Sequence, residues 1–385
     1  MLLADSFGSG METDAFFIAI TSSTILFAII GIALNTIIIP IVSDIRENQG
    51  GDNELKYVNN LISMVFLFTA LMTCLAYIFA PVMIKVLASG FQGEKFDLAV
   101  KLTRIGLPVM IFNGFLSVMK GYLHVHGEFR IPAFEGFALS VPVILYLIFL
   151  SDIYGIVGLM AVITMSGLLR VLLYLPASFK NGYKFKPVVN FKDKNFQRTL
   201  LLIGPILLGI LSNYVNLIVD RTIASRLIES SISALSYAER VKSVVTELVV
   251  LTITAVVYTM IAKYISNKND KELMKTINFG INIVVLITLP ATVGLIVLNY
   301  PLTMILFQRG AFTEADTLMT SSALSYYALG LVSLVVADLL NKIYFAKQRT
   351  KIPMMISISA VGLNIILNII LAKYMGIMDW HWPQV

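Results

Sequence analysis

The sequence is poor in charge. Asp, Glu, Lys and Arg make up 14% of its 385 residues, where a soluble domain carries about 25%. Cysteine is nearly absent: the single Cys74 excludes a disulfide framework, and inside an apolar run it reads as a small buried hydrophobe. Histidine occurs three times. His124 and His126 share a linker with no third ligand nearby in sequence, so no zinc centre is expected there. The chain has no Gly-rich phosphate loop, no HExxH and no nucleophile–base pair held by a loop, so it is not read as an enzyme. Long loops are also scarce, and the longest, 178–198, is simply basic.

Apolar residues fill the space, at 57% of the chain. They come in blocks of about 20, the length that carries a helix across roughly 30 Å of hydrocarbon. The runs are continuous rather than alternating, which excludes a β-barrel. The chain therefore reads as an all-α polytopic membrane protein with ten spans: 15–42, 58–86, 100–123, 132–151, 154–177, 199–224, 232–262, 275–300, 318–345 and 352–373. Every second linker is basic, for example Lys180, Lys184, Lys186, Lys192, Lys194 and Arg198, and the positive-inside rule makes those linkers cytoplasmic. The net charge of +6 then reflects cytoplasmic loops facing membrane lipids, with no nucleic acid as partner. Residues 1–13 fall on the outer side, and no basic region precedes an apolar stretch there as in a signal peptide.

The two halves repeat each other. Asp14–Ala19 lines up with Ser233–Ala238 at an offset of about 219 residues. Arg130-Ile131-Pro132 meets Lys351-Ile352-Pro353, and Tyr154-Gly155-Ile156 meets Met375-Gly376-Ile377. An in-order, near-constant offset marks a duplication, the habit of secondary transporters, and its parallel sense puts the symmetry axis along the membrane normal. Two lobes around a central cavity follow: 1–194, and an incomplete 195–378 with an off-pattern tail at 379–385. The repeat asks for a helix before Met1 and for further helices after about Met378, so the stretch is expected to be truncated at both ends.

Ionisable groups within spans are costly and face the bundle interior or a wet cavity. Asn213, Asn216 and Asp220 form one polar stripe, with Arg221 about 100° away. Asn364 and Asn368 are neighbours at i, i+4. A carboxylate with amide oxygens suits a small hard cation, though asparagine also joins membrane helices by hydrogen bonds. Near the outer end of helix 232–262, Glu239 and Arg240 are followed by Lys242, with Glu247 on the face of Arg240. An arginine fork fits diphosphate oxygens; the plain alternative is a snorkelling side chain. Asp14 opens a span and suits a helix N-cap. Asp338 and Lys342 form an i, i+4 pair that reads as structural, while Arg170, Lys101 and Arg104 are weaker candidates.

With these residues in view, the chain resembles the MurJ/MviN family of lipid II flippases, within the multidrug/oligosaccharidyl-lipid/polysaccharide exporter superfamily. The signposts are Phe7-Gly8-Ser9-Gly10 with Thr13-Asp14-Ala15-Phe16-Phe17, Gly121-Tyr122-Leu123, Val219-Asp220-Arg221, Ser233–Arg240, Phe307–Phe312 and Leu363–Asn368. The variant is most similar to those of Gram-positive, clostridium-like bacteria. The resemblance implies rocking of two lobes that moves an undecaprenyl-diphosphate-linked peptidoglycan precursor to the outer leaflet of the cell membrane. It also implies a place in cell-wall biogenesis, with the cell-wall synthesis machinery as partner. Arg240 matches the cavity arginine for the anionic head group, and Asp14 the acid of the family's opening motif; Glu239 and Arg221 join them as substrate-binding candidates. Asp220, Asn364 and Asn368 match a sodium site of some members, so a sodium ion or the membrane potential is the implied coupling. Where many members carry paired arginines, this chain reads Phe27-Ala28. Another polyprenyl-linked glycan, a drug, or a scaffold role without transport are the competing readings.

Overall fold

The computed structural model describes residues 1–374 apart from Lys268, Gln348 and Thr350; within its helices the side chains at 28–30, 33, 36, 204–206, 208–213, 251, 255, 262, 266, 345, 365 and 368–374 are not described. The described residues are almost entirely helical. They divide into two units, one of residues 11–227, the other of residues 3–10 with those from Ile228 onward.

A short helix, α1 (Leu2–Phe7), precedes the first unit. That unit runs α2 (Met11–Gln49), α3 (Gly51–Leu87), α4 (Gly93–Gly106), α5 (Val109–Val125), α6 (Arg130–Phe149), α7 (Ser151–Lys180) and α8 (Lys194–Ala224). The turn from α2 to α3 is made by Gly50 at φ 83°, a left-handed conformation that only glycine adopts cheaply. The core lies where Leu34, Ile38, Val42 and Ile45 of α2 meet Tyr57, Leu61, Val118 and Tyr122. Gly121 lets α5 close on α2, since a Cβ there would collide with the Ile38 side chain. The expected span 100–123 is two helices, α4 and α5, broken at Leu107-Pro108, where proline supplies no N–H to the helix ladder. Together they still count as one candidate span, Gly93–Val125.

The second unit holds α9 (Ser231–Val249), a five-residue π turn at Val250–Thr254, α10 (Ala255–Ser266), α11 (Asp270–Val297), α12 (Asn299–Phe307), α13 (Glu314–Leu329), α14 (Leu331–Ala346) and α15 (Lys351–Tyr374). α13 and α14 bend by 43° at a short break, the site of Gly330. Residues 3–10 dock here: Ala311 N donates to Asp5 O at 2.8 Å and Tyr237 Oη donates to Gly8 O at 3.1 Å. Gly310, at φ 56°, allows the approach, because a Cβ would strike the Asp5 carbonyl.

Among the described residues, six helical stretches are long and apolar enough to cross a membrane, and the α13–α14 pair makes a seventh. The three other expected spans fall on α2, α8 and α15, of 39, 31 and 24 residues. The lobe boundary differs from the one read at 194/195. α8 packs with α2 and α3, its Thr199 bonded to Tyr57 at 2.7 Å, so the division falls after Leu227. The tail 379–385 lies outside the described residues. Cys74 corrects a second expectation, for it is exposed rather than buried. It shares the outward side of α3 with Leu71, Leu75 and Ile78, an apolar surface of the kind a membrane span presents to lipid.

Candidate functional site

α9 turns its candidate residues outward because of what its other face buries. Tyr237 packs against Phe307 and Phe312, with ring centroids 5.1 and 5.5 Å away, and Ala238 is fully buried with Leu324 and Ala328 of α13. At 100° per residue, burying positions 237 and 238 leaves Glu239 and Arg240 on the exposed side. Lys242, two residues on, lies over the Tyr327 ring at 4.8 Å. The two Phe residues that wedge Tyr237 belong to the stretch Phe307–Phe312, so one signpost of the resemblance positions another.

Asp14 is not an N-cap. It lies in the first turn of α2, is 1% exposed, and accepts a hydrogen bond from Lys95 Nζ at 2.7 Å. Lys95 also sits over the Phe91 ring, 4.5 Å from its centroid. Burying this carboxylate is costly in isolation, and the ammonium beside it offsets that cost.

A second charged group joins α5, α6 and α7. Glu135 accepts from Arg170 Nη2 through Oε1 and from Tyr174 Oη at 2.8 Å through Oε2. Lys120 Nζ stands 3.5 Å from Oε2, and Arg170 Nη1 donates to Asn113 Oδ1 at 3.1 Å. Arg170 ranked as a weak candidate from sequence, and Glu135 was not singled out at all. The available signal was two opposite charges facing each other from adjacent spans, where a lone one would be expensive. Asp338 and Lys342 form the expected pair at 2.9 Å, and Lys342 Nζ also donates to Thr254 Oγ1 at the π turn, 2.7 Å away.

What the arrangement can do follows from these partners. Asp14 and Glu135 are neutralised within the first unit, whereas the exposed guanidinium of Arg240 can meet an anionic ligand. The family model described as the lipid II flippase MurJ matches residues 3–379. The chain belongs to the MurJ family. The probable lipid II flippase MurJ of Buchnera aphidicola subsp. Acyrthosiphon pisum is 29% identical over 379 residues, covering 97% of this chain and 74% of that one. A solved structure of the lipid II flippase MurJ in an inward closed conformation superimposes with a TM-score of 0.85 at 28% identity, covering 98% of this chain and 78% of that chain. An inward-facing multidrug resistance MATE family transporter follows with a TM-score of 0.72 at 16% identity, covering 100% and 87% of the two chains; that likeness concerns the fold alone. MurJ is a transporter family, and this member is a multi-pass protein of the cytoplasmic membrane.

The expected sodium-site residues lie on α8 and α15. Asn216 Nδ2 donates to Asp220 Oδ2 at 3.1 Å, an i, i+4 pair on α8. Asp220 and Asn364 are both exposed and belong to different units, and the side chains of Asn213 and Asn368 lie outside the described residues, as does that of Ala28. Arg221 is partly buried in the last turn of α8. Among the described residues no three His, Cys, Asp or Glu side chains gather as metal ligands.

Proposed function

We propose that this MurJ-family chain carries lipid II from the inner to the outer leaflet by alternating access, with Arg240 holding the diphosphate of the head group. The family match over residues 3–379 carries this reading. The outward placement of Arg240 on a packed helix supports it, because its bidentate, permanently charged fork matches the oxygens of a diphosphate. Glu239, beside Arg240 on α9, is proposed to share that contact; Asp14 and Arg221 for the substrate, and Asp220, Asn364 and Asn368 for a coupling sodium ion, are proposed from the family resemblance alone. A clostridial type belongs to the same proposal.

The test is translocation in proteoliposomes. Lipid II accessible on one leaflet is followed beside an undecaprenyl-diphosphate glycan lacking the pentapeptide and beside a cationic dye. Transport of lipid II alone is expected, with an imposed sodium gradient changing its rate. Movement of the dye would favour an exporter, and movement of the other glycan a different cargo. Wild-type rates with Arg240→Ala would remove Arg240 from the head-group contact, and no movement of any of the three by the wild-type chain would favour a scaffold that recruits cell-wall enzymes.

A further inference from the structure

Residues 181–193 connect α7 to α8, and they are held in an unusual way. Three side chains of α3 bond the backbone of the passing segment as a neighbouring strand would. Asn59 Nδ2 donates to Lys184 O at 2.9 Å, and its Oδ1 accepts from Lys186 N at 3.1 Å. Ser63 Oγ accepts from Val188 N at 3.2 Å. Asn60 exchanges two bonds with Asn190, at 3.0 and 2.8 Å. Tyr183 anchors the start, donating to Asn59 Oδ1 at 2.9 Å, with its ring 5.6 Å from that of Tyr122.

With its backbone satisfied on α3, the segment presents its side chains outward. Phe185, Val189 and Phe191 are 55, 56 and 62% exposed, and Phe179, at the end of α7, is 54% exposed. Lys184, Lys186, Lys192 and Lys194 are exposed between and beside them. The one acid, Asp193, is engaged as the N-cap of α8, accepting from Phe196 N at 2.7 Å. Apolar bodies interleaved with uncompensated ammonium groups match a bilayer interface with negative head groups. The segment also joins two membrane helices on the lysine-rich side, which the positive-inside rule makes cytoplasmic.

We infer that the 184–194 segment, clamped by Asn59, Asn60 and Ser63, is a docking surface for the anionic lipids of the cytoplasmic leaflet. Phe185, Val189 and Phe191 enter the head-group boundary while the four lysines pair with lipid phosphates. Each lysine near such a surface strengthens the contact about fivefold.

Phe191→Trp, in a background of Trp380→Phe and Trp382→Phe, reports the contact directly. The full chain is placed in nanodiscs of brominated phosphatidylcholine, or of a three-to-one mixture with brominated phosphatidylglycerol. The indole should be blue-shifted and quenched, at least twofold more in the anionic discs at low salt. Changing Lys184, Lys186, Lys192 and Lys194 to Gln should abolish that excess. Phe185→Trp provides a second reporter on the same surface. An unquenched indole at both positions would show that the face meets water or a protein instead, and equal quenching in both lipids would show contact without head-group selection. Either result overturns the inference.

Discussion

The two units treat charge differently. In the first, acids within the helices sit in defined cages: Asp14 against Lys95, and Glu135 among Arg170, Lys120 and Tyr174. In the second, Arg240 is displayed on the exposed face of α9, and the described cation–carboxylate pairs, Lys342 with Asp338 and Lys275 with Glu272, each lie within about one turn of a single helix. Pairing across helices fixes their arrangement, because separating them strands a charge in a poorly solvating medium. A pair within one helix constrains nothing beyond that helix. The first unit thus uses its charges for architecture, and the second leaves one exposed, as the proposed head-group contact requires.

The sharpest way to break this contrast is Glu135→Ala. It strands Arg170 and removes the acceptor of Tyr174, so the expected loss is about 3–5 kcal/mol, read as a lowered unfolding midpoint in detergent. Replacing Glu135 and Arg170 together with Leu and Met should recover most of it, since apolar side chains need no partner there. If Glu135→Ala left the midpoint unchanged, the network would not be architectural. Lys95→Ala should come next, near 3 kcal/mol. Asp14 stays buried without its ammonium, although the partial exposure of Lys95 lets water relieve some of the loss.

These cages show where the sequence was readable. All ten expected spans fall on helices, because a run of about 20 apolar residues is a local signal that any tertiary structure must respect. The cages are not local. Asp14 finds Lys95 across 81 positions and Glu135 finds Arg170 across 35, and nothing in the order of residues says which helix faces which. Asp14 therefore read as an N-cap, and Glu135 was passed over. The i, i+4 pair Asp338–Lys342 was legible because helical geometry alone brings those side chains together. The break at Leu107-Pro108 and the π turn at 250–254 were missed because apolar composition continues through both.

A smaller effect separates the clamped connection from the cages. Asn60→Ala removes two hydrogen bonds to Asn190 at the edge of the first unit, where water can replace part of them. A loss of about 1–2 kcal/mol is expected, with faster proteolysis between Lys184 and Lys194 and little change in the rest of the chain. Destabilisation as large as that from Glu135→Ala would mean that the clamp, rather than the ion pairs, sets the stability of this unit.

Arg240→Ala should have the smallest effect on stability and is the most informative of the four. Its side chain is exposed on α9, and its helix is held by Tyr237 and Ala238 on the opposite side, so the unfolding midpoint should move by no more than about 0.5 kcal/mol. Lipid II translocation should nonetheless fall steeply. Arg240→Lys should restore only part of it, because a single ammonium retains the charge but not the planar fork that meets two phosphate oxygens at once. A parallel loss of stability and transport would place Arg240 with Glu135 as an architectural residue. Unchanged stability, with transport lost and only partly rescued by lysine, would establish that the second unit keeps this charge for its cargo.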